Sequence, residues 1–359
     1  MELGRAAGLD HRPGPVMQIQ YLRGVAAMLV VFHHIRTPVA ALYSPLGKFE
    51  AAMNGVDVFF VISGFIMCTA SRNEPAGEFA RRRLIRVVPL YWLFTLLFVL
   101  ILPGFTGMPK DPPIQDILRS LLFVPFNNPA YFGRVWPLLI PGWTLNYEMF
   151  FYAVFALGLL IRKPLTTVCL AIPALAGLGL AAHFTDPALK TYTDFKLLEF
   201  TAGALLGLAF QRFSFKGLAP LLPVGFVLLM LINPFRDWAP PALLAASTLL
   251  TAGALSLERS FKRPIGVLKL LGDASYSIYL SHLLVLSLGY RLLPRLPLTG
   301  WPQFIAFAVF VLTGSAAFGI AAYYFLERPL TRLLTRITRP RSAVANPKAR
   351  TAALPNSAR

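Results

Sequence analysis

Apolar residues along the chain gather into ten runs, at about 17–37, 53–71, 86–103, 141–161, 165–183, 195–211, 217–233, 240–257, 272–293 and 302–326. About 20 apolar residues are what an α-helix needs to cross the hydrocarbon core of a bilayer. A helix also satisfies its own backbone hydrogen bonds where no water can. The pattern therefore predicts an all-α, polytopic integral membrane protein with about ten transmembrane helices. Polar or proline-rich segments separate the runs, and no long soluble domain interrupts them. The longest gap, 104–140, is proline-rich with apolar patches, and a short interfacial helix is expected in it near Ile114–Phe123. No internal repeat is visible, which counts against the two-halved design of many transporters.

Composition sharpens this reading. Hydrophobic residues make up 56% of the 359 and charged residues 14%, against roughly 25% charged in soluble domains. A soluble globule and a disordered chain are both excluded. The net charge of +18 has the sign of a nucleic-acid binder, but its placement argues otherwise. About two-thirds of the 34 lysines and arginines fall in one alternating set of loops and at the two ends. Short cytoplasmic loops are enriched in these residues, so both termini are expected in the cytoplasm, as an even number of spans requires. Nucleic acid is not an expected partner; the lipid bilayer is. Residues 1–16 are read as a cytoplasmic N-terminal segment, 17–329 as the membrane domain, and 330–359 as a basic, disordered cytoplasmic tail. The first run is too long for the apolar core of a signal peptide, so it is expected to be retained. Cys68 and Cys169 lie inside apolar runs without metal or disulfide spacing, and no metal site is expected.

Ionisable side chains inside such runs are costly and mark function. Arg23 and His34 share the first run. Eleven residues at 100° each give about 1100°, roughly 20° past three turns, so they share a face about 16 Å apart along the axis. They are placed to line one groove, with Arg23 toward the cytoplasm and His34 deeper, while His33 is turned away. Asp57 opens the second run at a depth matching His34. Two roles are open to it: accepting an imidazole N–H of His34, or capping its own helix. Arg83 and Arg86, in the loop before the third run, become neighbours if that loop is helical. They either bind phosphate or only set topology. Glu148 lies about one and a half turns into the fourth run and needs a cationic partner from another helix. Ser275, Tyr279 and His282 fall at i, i+4 and i+7 of the ninth run, a polar stripe suited to a hydrated cavity. Glu327, at the inner end of the last run, is expected to pair with loop arginines.

Together these blocks resemble the membrane acyltransferase-3 family over about Met17 to Pro329. The blocks are Arg23 and His34; Gly55-Val56-Asp57-Val58-Phe59-Phe60-Val61-Ile62-Ser63-Gly64-Phe65; Arg83 and Arg86 leading to Pro89; Trp143-Thr144-Leu145 with Glu148; Ser275-Tyr276-Ser277-Ile278-Tyr279 with His282; and Glu327 with Pro329. The opening Ile19-Gln20-Tyr21-Leu22-Arg23-Gly24 is most similar to the exopolysaccharide O-acetyltransferase branch. The resemblance implies transfer of an acetyl or other short acyl group from cytoplasmic acetyl-CoA, a substrate rather than a resident cofactor. The acceptor it implies is a hydroxyl of an exopolysaccharide, another surface glycan, or a lipid-linked precursor. It implies a multi-pass protein of the bacterial inner membrane, in contact with polysaccharide-assembly proteins. Carried over, Arg23 and His34 are the functional pair, with Asp57 beside His34. Arg83 and Arg86 bind the donor, while Glu148, Ser275, Tyr279 and His282 support the acceptor side. His34 is then either the general base, with an unperturbed pKa of about 6.5, or the carrier of an acyl-imidazole intermediate. A transporter of polysaccharide or small molecules is the competing reading, because it too would hold ionisable groups in mid-membrane.

Overall fold

The computed structural model describes residues 16–36, 41–101, 111–258, 260 and 264–338. Every apolar run is a helix. They are α1 (Met17–Ile35), α2 (Gly55–Ile66, continued by a π-helical turn at Met67–Ser71), α3 (Ala76–Ile101), α4 (Ile114–Leu121), α5 (Gly142–Leu160), α6 (Pro164–Ala182) and α7 (Pro187–Tyr192). Then follow α8 (Leu197–Arg212), α9 (Leu221–Leu231), α10 (Ala239–Ser256), α11 (Gly266–Asp273), α12 (Ser275–Leu292), α13 (Gly300–Ala322, continued by a π-helical turn at Tyr323–Glu327) and α14 (Arg328–Ile337). No strand occurs among the described residues. Six helical segments are long and apolar enough to cross a membrane: Ala51–Ser71, Ala76–Ile101, Gly142–Leu160, Pro164–Ala182, Ala239–Ser256 and Gly300–Ile337. Of the other four predicted spans, α1 and α12 have the length but carry the polar groups that concern the site. α8 has 16 residues and α9 has 11.

Three local expectations change. The arginine block 81–86 is the opening of α3 rather than a loop, because Glu78 and Arg81 pair one turn apart at 2.5 Å and Glu74 takes Arg82. The tail expected from residue 330 begins as helix α14, where Leu330, Leu333, Leu334 and Ile337 recur at helical spacing against Arg332 and Arg336. Glu327 pairs with no arginine among the described residues; it is buried and accepts a 2.5 Å hydrogen bond from Ser277 Oγ. The expectations for residues 1–15 and 339–359 lie outside the described residues. The short helix foreseen in the long gap is α4. Its apolar residues Ile114 and Leu118 face outward while Asp116 and Ser120 are buried, the reverse of a water-facing helix.

Packing is tightest where side chains vanish. A Cβ on Gly64 would sit 1.9 Å from the Phe200 carbonyl oxygen, and one on Gly203 the same distance from that of Val61. α2 and α8 thus lie backbone to backbone, as small residues allow between membrane helices. α1 sits centrally, touching α2, α10, α11, α12 and α13. By contrast α5 packs mainly on α6 and α3 and only lightly on α2 and α8. Leu100, Leu170 and Leu231 are exposed on the outside, a lipid-facing distribution in which apolar outer residues need no partner.

Candidate active site

A cavity of about 110 Å³ lies between α1, α2, α3, α5 and α12. At one end it is lined by Arg23, Arg83 and Arg86, with Glu148, Ser63, Tyr152 and Ser275 beside them; at the other by Val56, Phe59, Thr144 and Tyr279. Arg83 Nη2 donates to Ser71 Oγ at 3.0 Å. Its guanidinium carbon lies 5.5 Å from the Phe79 ring centre and 5.7 Å from that of Tyr152. These contacts aim the fork and leave its buried Nε without a hydrogen bond. Arg23 donates only to Gln20 Oε1, at 3.1 Å. Among the described residues, none of the three arginines is in an ion pair. Glu148 is also committed without a cation: its Oε1 accepts from Ser63 Oγ at 3.1 Å and from the Tyr152 hydroxyl. Three guanidinium groups and one carboxylate line this end, and guanidinium forks match phosphate oxygens.

The histidines meet beyond the other end. His34 and His282 have ring centres 4.8 Å apart, with His282 Nε2 3.4 Å from His34 Nδ1. His34 Nδ1 lies 2.8 Å from the Val30 carbonyl oxygen, and His282 Nδ1 lies 2.7 Å from that of Tyr279. A carbonyl only accepts, so each Nδ1 carries the proton and each Nε2 is the basic nitrogen. His34 Nε2 has no partner among the described residues. Neither histidine lines the cavity. The single groove expected from Arg23 to His34 is therefore two compartments. The stripe on α12 divides the same way, Ser275 and Tyr279 facing the cavity and His282 facing His34.

Asp57 takes neither role foreseen for it. Its carboxylate is bound by Lys196 Nζ, not by His34. It lies in the first turn of α2, where its charge suits the helix end, yet it makes no capping hydrogen bond and Asn54 is the N-cap. Sequence reading missed this cluster. Glu199, 1% exposed, has both carboxylate oxygens without a hydrogen bond beside the Asp57–Lys196 pair. Asp194 accepts from the Tyr147 hydroxyl at 3.1 Å. The available signal was Lys196, a lysine opening an apolar run. The cluster also corrects the partner expected for Glu148, whose contacts are hydroxyls.

The chain folds as a helical bundle with an arginine-lined cavity on one side of Tyr279 and a histidine pair on the other. A family model for an acyltransferase domain matches residues 17–320, and the chain belongs to the acyltransferase-3 family. It is an acyltransferase. It is 40% identical over 302 residues to the exopolysaccharide production protein ExoZ of Rhizobium meliloti (strain 1021), covering 79% of this chain and 91% of that one. It is 25% identical over 274 residues to the acyltransferase MdmB of Streptomyces mycarofaciens, covering 66% and 69%. It is 23% identical over 367 residues to the peptidoglycan O-acetyltransferase OatA of Listeria monocytogenes serovar 1/2a (strain ATCC BAA-679 / EGD-e), covering 88% of this chain and 56% of that one. No solved structure matches.

Proposed function

We propose that the chain spans the bacterial inner membrane ten times with both termini in the cytoplasm. There it moves an acetyl group from acetyl-CoA to a hydroxyl of an exopolysaccharide or its lipid-linked precursor. The observation that carries this reading is the set of three arginines around one cavity, in no ion pair among the described residues. A polyanion on a long flexible arm fits such a mouth: its phosphates stay with Arg83 and Arg86, and its thioester extends past Arg23 toward the histidines. The likeness to ExoZ and OatA supports a glycan acceptor and an acetyl group.

His34 Nε2 acts as general base. It takes the proton of the acceptor hydroxyl as that oxygen attacks the thioester carbonyl, the C–S bond breaks, and the departing thiolate receives the proton. His282 Nε2, facing the Nδ1–H of His34, steadies the imidazolium formed in between, the orienting part that a carboxylate plays in a triad. Asp57, held by Lys196, stays outside the chemistry.

The test is reconstituted protein supplied with labelled acetyl-CoA and the host polymer. Base-labile label on the polymer is expected, falling at least about 100-fold in His34→Ala, the usual worth of a general base. Polymer crossing the bilayer unmodified, with no label gained, would instead establish a transporter.

A further inference from the structure

The cavity and the histidine pair are separated by one layer of side chains. The Tyr279 hydroxyl, from α12, lies 2.9 Å from Thr144 Oγ1 and donates to the Pro141 carbonyl oxygen at 3.0 Å, both at the start of α5. Phe59 of α2 packs edge-on against the Tyr279 ring, with centres 5.8 Å apart. On the far side the Tyr279 ring centre is 6.2 Å from that of His282, whose Nδ1–H its own carbonyl accepts. Tyr279 is thus both the end wall of the arginine-lined cavity and the near neighbour of the histidines. Phe59, Thr144 and Tyr279 all line the cavity, and His34 and His282 do not.

We propose that Phe59, Thr144 and Tyr279 form a closed partition, latched by the hydrogen bond from the Tyr279 hydroxyl to the Pro141 carbonyl oxygen, which decides whether the acyl group is passed to the glycan or lost to water. The proposal rests on the acyl-transfer reading above. A thioester held at a cytoplasm-facing mouth is open to hydrolysis if water reaches its carbonyl beside a basic imidazole. Water oxygen then forms the new C–O bond, the C–S bond breaks, and a proton passes through His34 to the thiolate, giving acetate and coenzyme A. The partition keeps base and thioester apart until the donor is seated. Opening requires only that Tyr279 leave the start of α5, the helix that packs lightly on α2 and α8. The tyrosine acts through access and makes no bond to the reacting atoms, so it is a selectivity-setting residue and not a catalytic one.

The experiment compares wild type with Tyr279→Phe, which breaks the latch while keeping the ring, and with Thr144→Val, which leaves the Tyr279–Pro141 hydrogen bond in place, all in nanodiscs. Coenzyme A release from acetyl-CoA is followed with and without polymer, and binding of coenzyme A alone is measured by calorimetry. While Thr144→Val stays near wild type, Tyr279→Phe is expected to hydrolyse acetyl-CoA without acceptor about five- to tenfold faster, the population shift that follows loss of a hydrogen bond. The fraction of acyl groups reaching polymer should fall, with coenzyme A affinity unchanged. A gain in hydrolysis cannot come from a misfolded site, so it separates a partition from a merely structural tyrosine. Normal transfer in wild type with an unaltered or lower hydrolysis rate in Tyr279→Phe overturns the partition and leaves the transfer reading standing. No coenzyme A binding and no release by wild type, polymer present, overturns the transfer reading and the partition with it.

Discussion

Replacing Arg86 with glutamine separates a donor-binding arginine from one that only sets topology, because the two roles predict opposite patterns. Arg86 lines the cavity without an ion-pair partner, and the positive charges of Arg86 and Arg23 repel each other. Removing one of two repelling cations relieves strain in the empty protein, so the unfolding temperature should hold or rise slightly. The bound donor loses one charge-assisted contact to phosphate, about 1.5–3 kcal/mol, which is roughly 10- to 150-fold in affinity. Arg86 sits at the end of the cavity away from the histidines, so the loss should appear in KM for acetyl-CoA with kcat changed less than about twofold, the signature of binding shared by ground and transition states. The assays are calorimetric titration of coenzyme A, steady-state transfer with acetyl-CoA varied, and thermal unfolding, all on the reconstituted protein. Unchanged coenzyme A affinity together with an unfolding temperature lowered by several degrees would show that Arg86 holds the fold and not the donor.

Other outcomes follow from the same geometry. His282→Asn should lower kcat about tenfold, the worth of one hydrogen bond, while coenzyme A titration stays as in wild type. Lys196→Met leaves Asp57 and Glu199 facing each other without a cation and should destabilise by about 3 kcal/mol, seen in thermal unfolding; Asp57→Asn added to it should recover part of that loss. Gly64→Ala forces a methyl to within 1.9 Å of the Phe200 carbonyl oxygen. Because backbone must move, a loss of about 3 kcal/mol, the upper range for overpacking, is expected, and an unchanged unfolding temperature would mean that α2 and α8 are not in such contact.

Which parts of this molecule were legible in the chain depends on the range of the interaction that fixes them. The helices of the ten apolar runs were legible, since apolar run length acts locally, and α4 was foreseen, whereas the short helices α7, α11 and α14 lie largely outside the apolar runs. The cavity arginines and the polar stripe of α12 were legible because helical spacing puts Arg83 with Arg86 and Ser275 with Tyr279. Pairings across helices were not. Spacing puts Arg23 and His34 on one face of α1, but only packing decides that Arg23 and Tyr279 line the cavity and His34 does not. Depth matching put Asp57 near His34, whereas Lys196, 139 residues further on, is the group that reaches its carboxylate. Glu148 had the same fate, finding hydroxyls of Ser63 and Tyr152 where an arginine was expected.

The glycine contact between α2 and α8 divides the bundle into parts that loosen at different rates. Helices touching backbone to backbone cannot part by rotating a side chain; they separate only in a wide opening that breaks the whole seam. Amide hydrogens along Val61–Phe65 and Phe200–Gly207 should therefore exchange with solvent only near the free energy of global unfolding, while those opening α5 exchange through smaller, more frequent excursions. The enzyme would then work as a stiff wall facing a flank that breathes, with Thr144 on the flank and Phe59 on the wall.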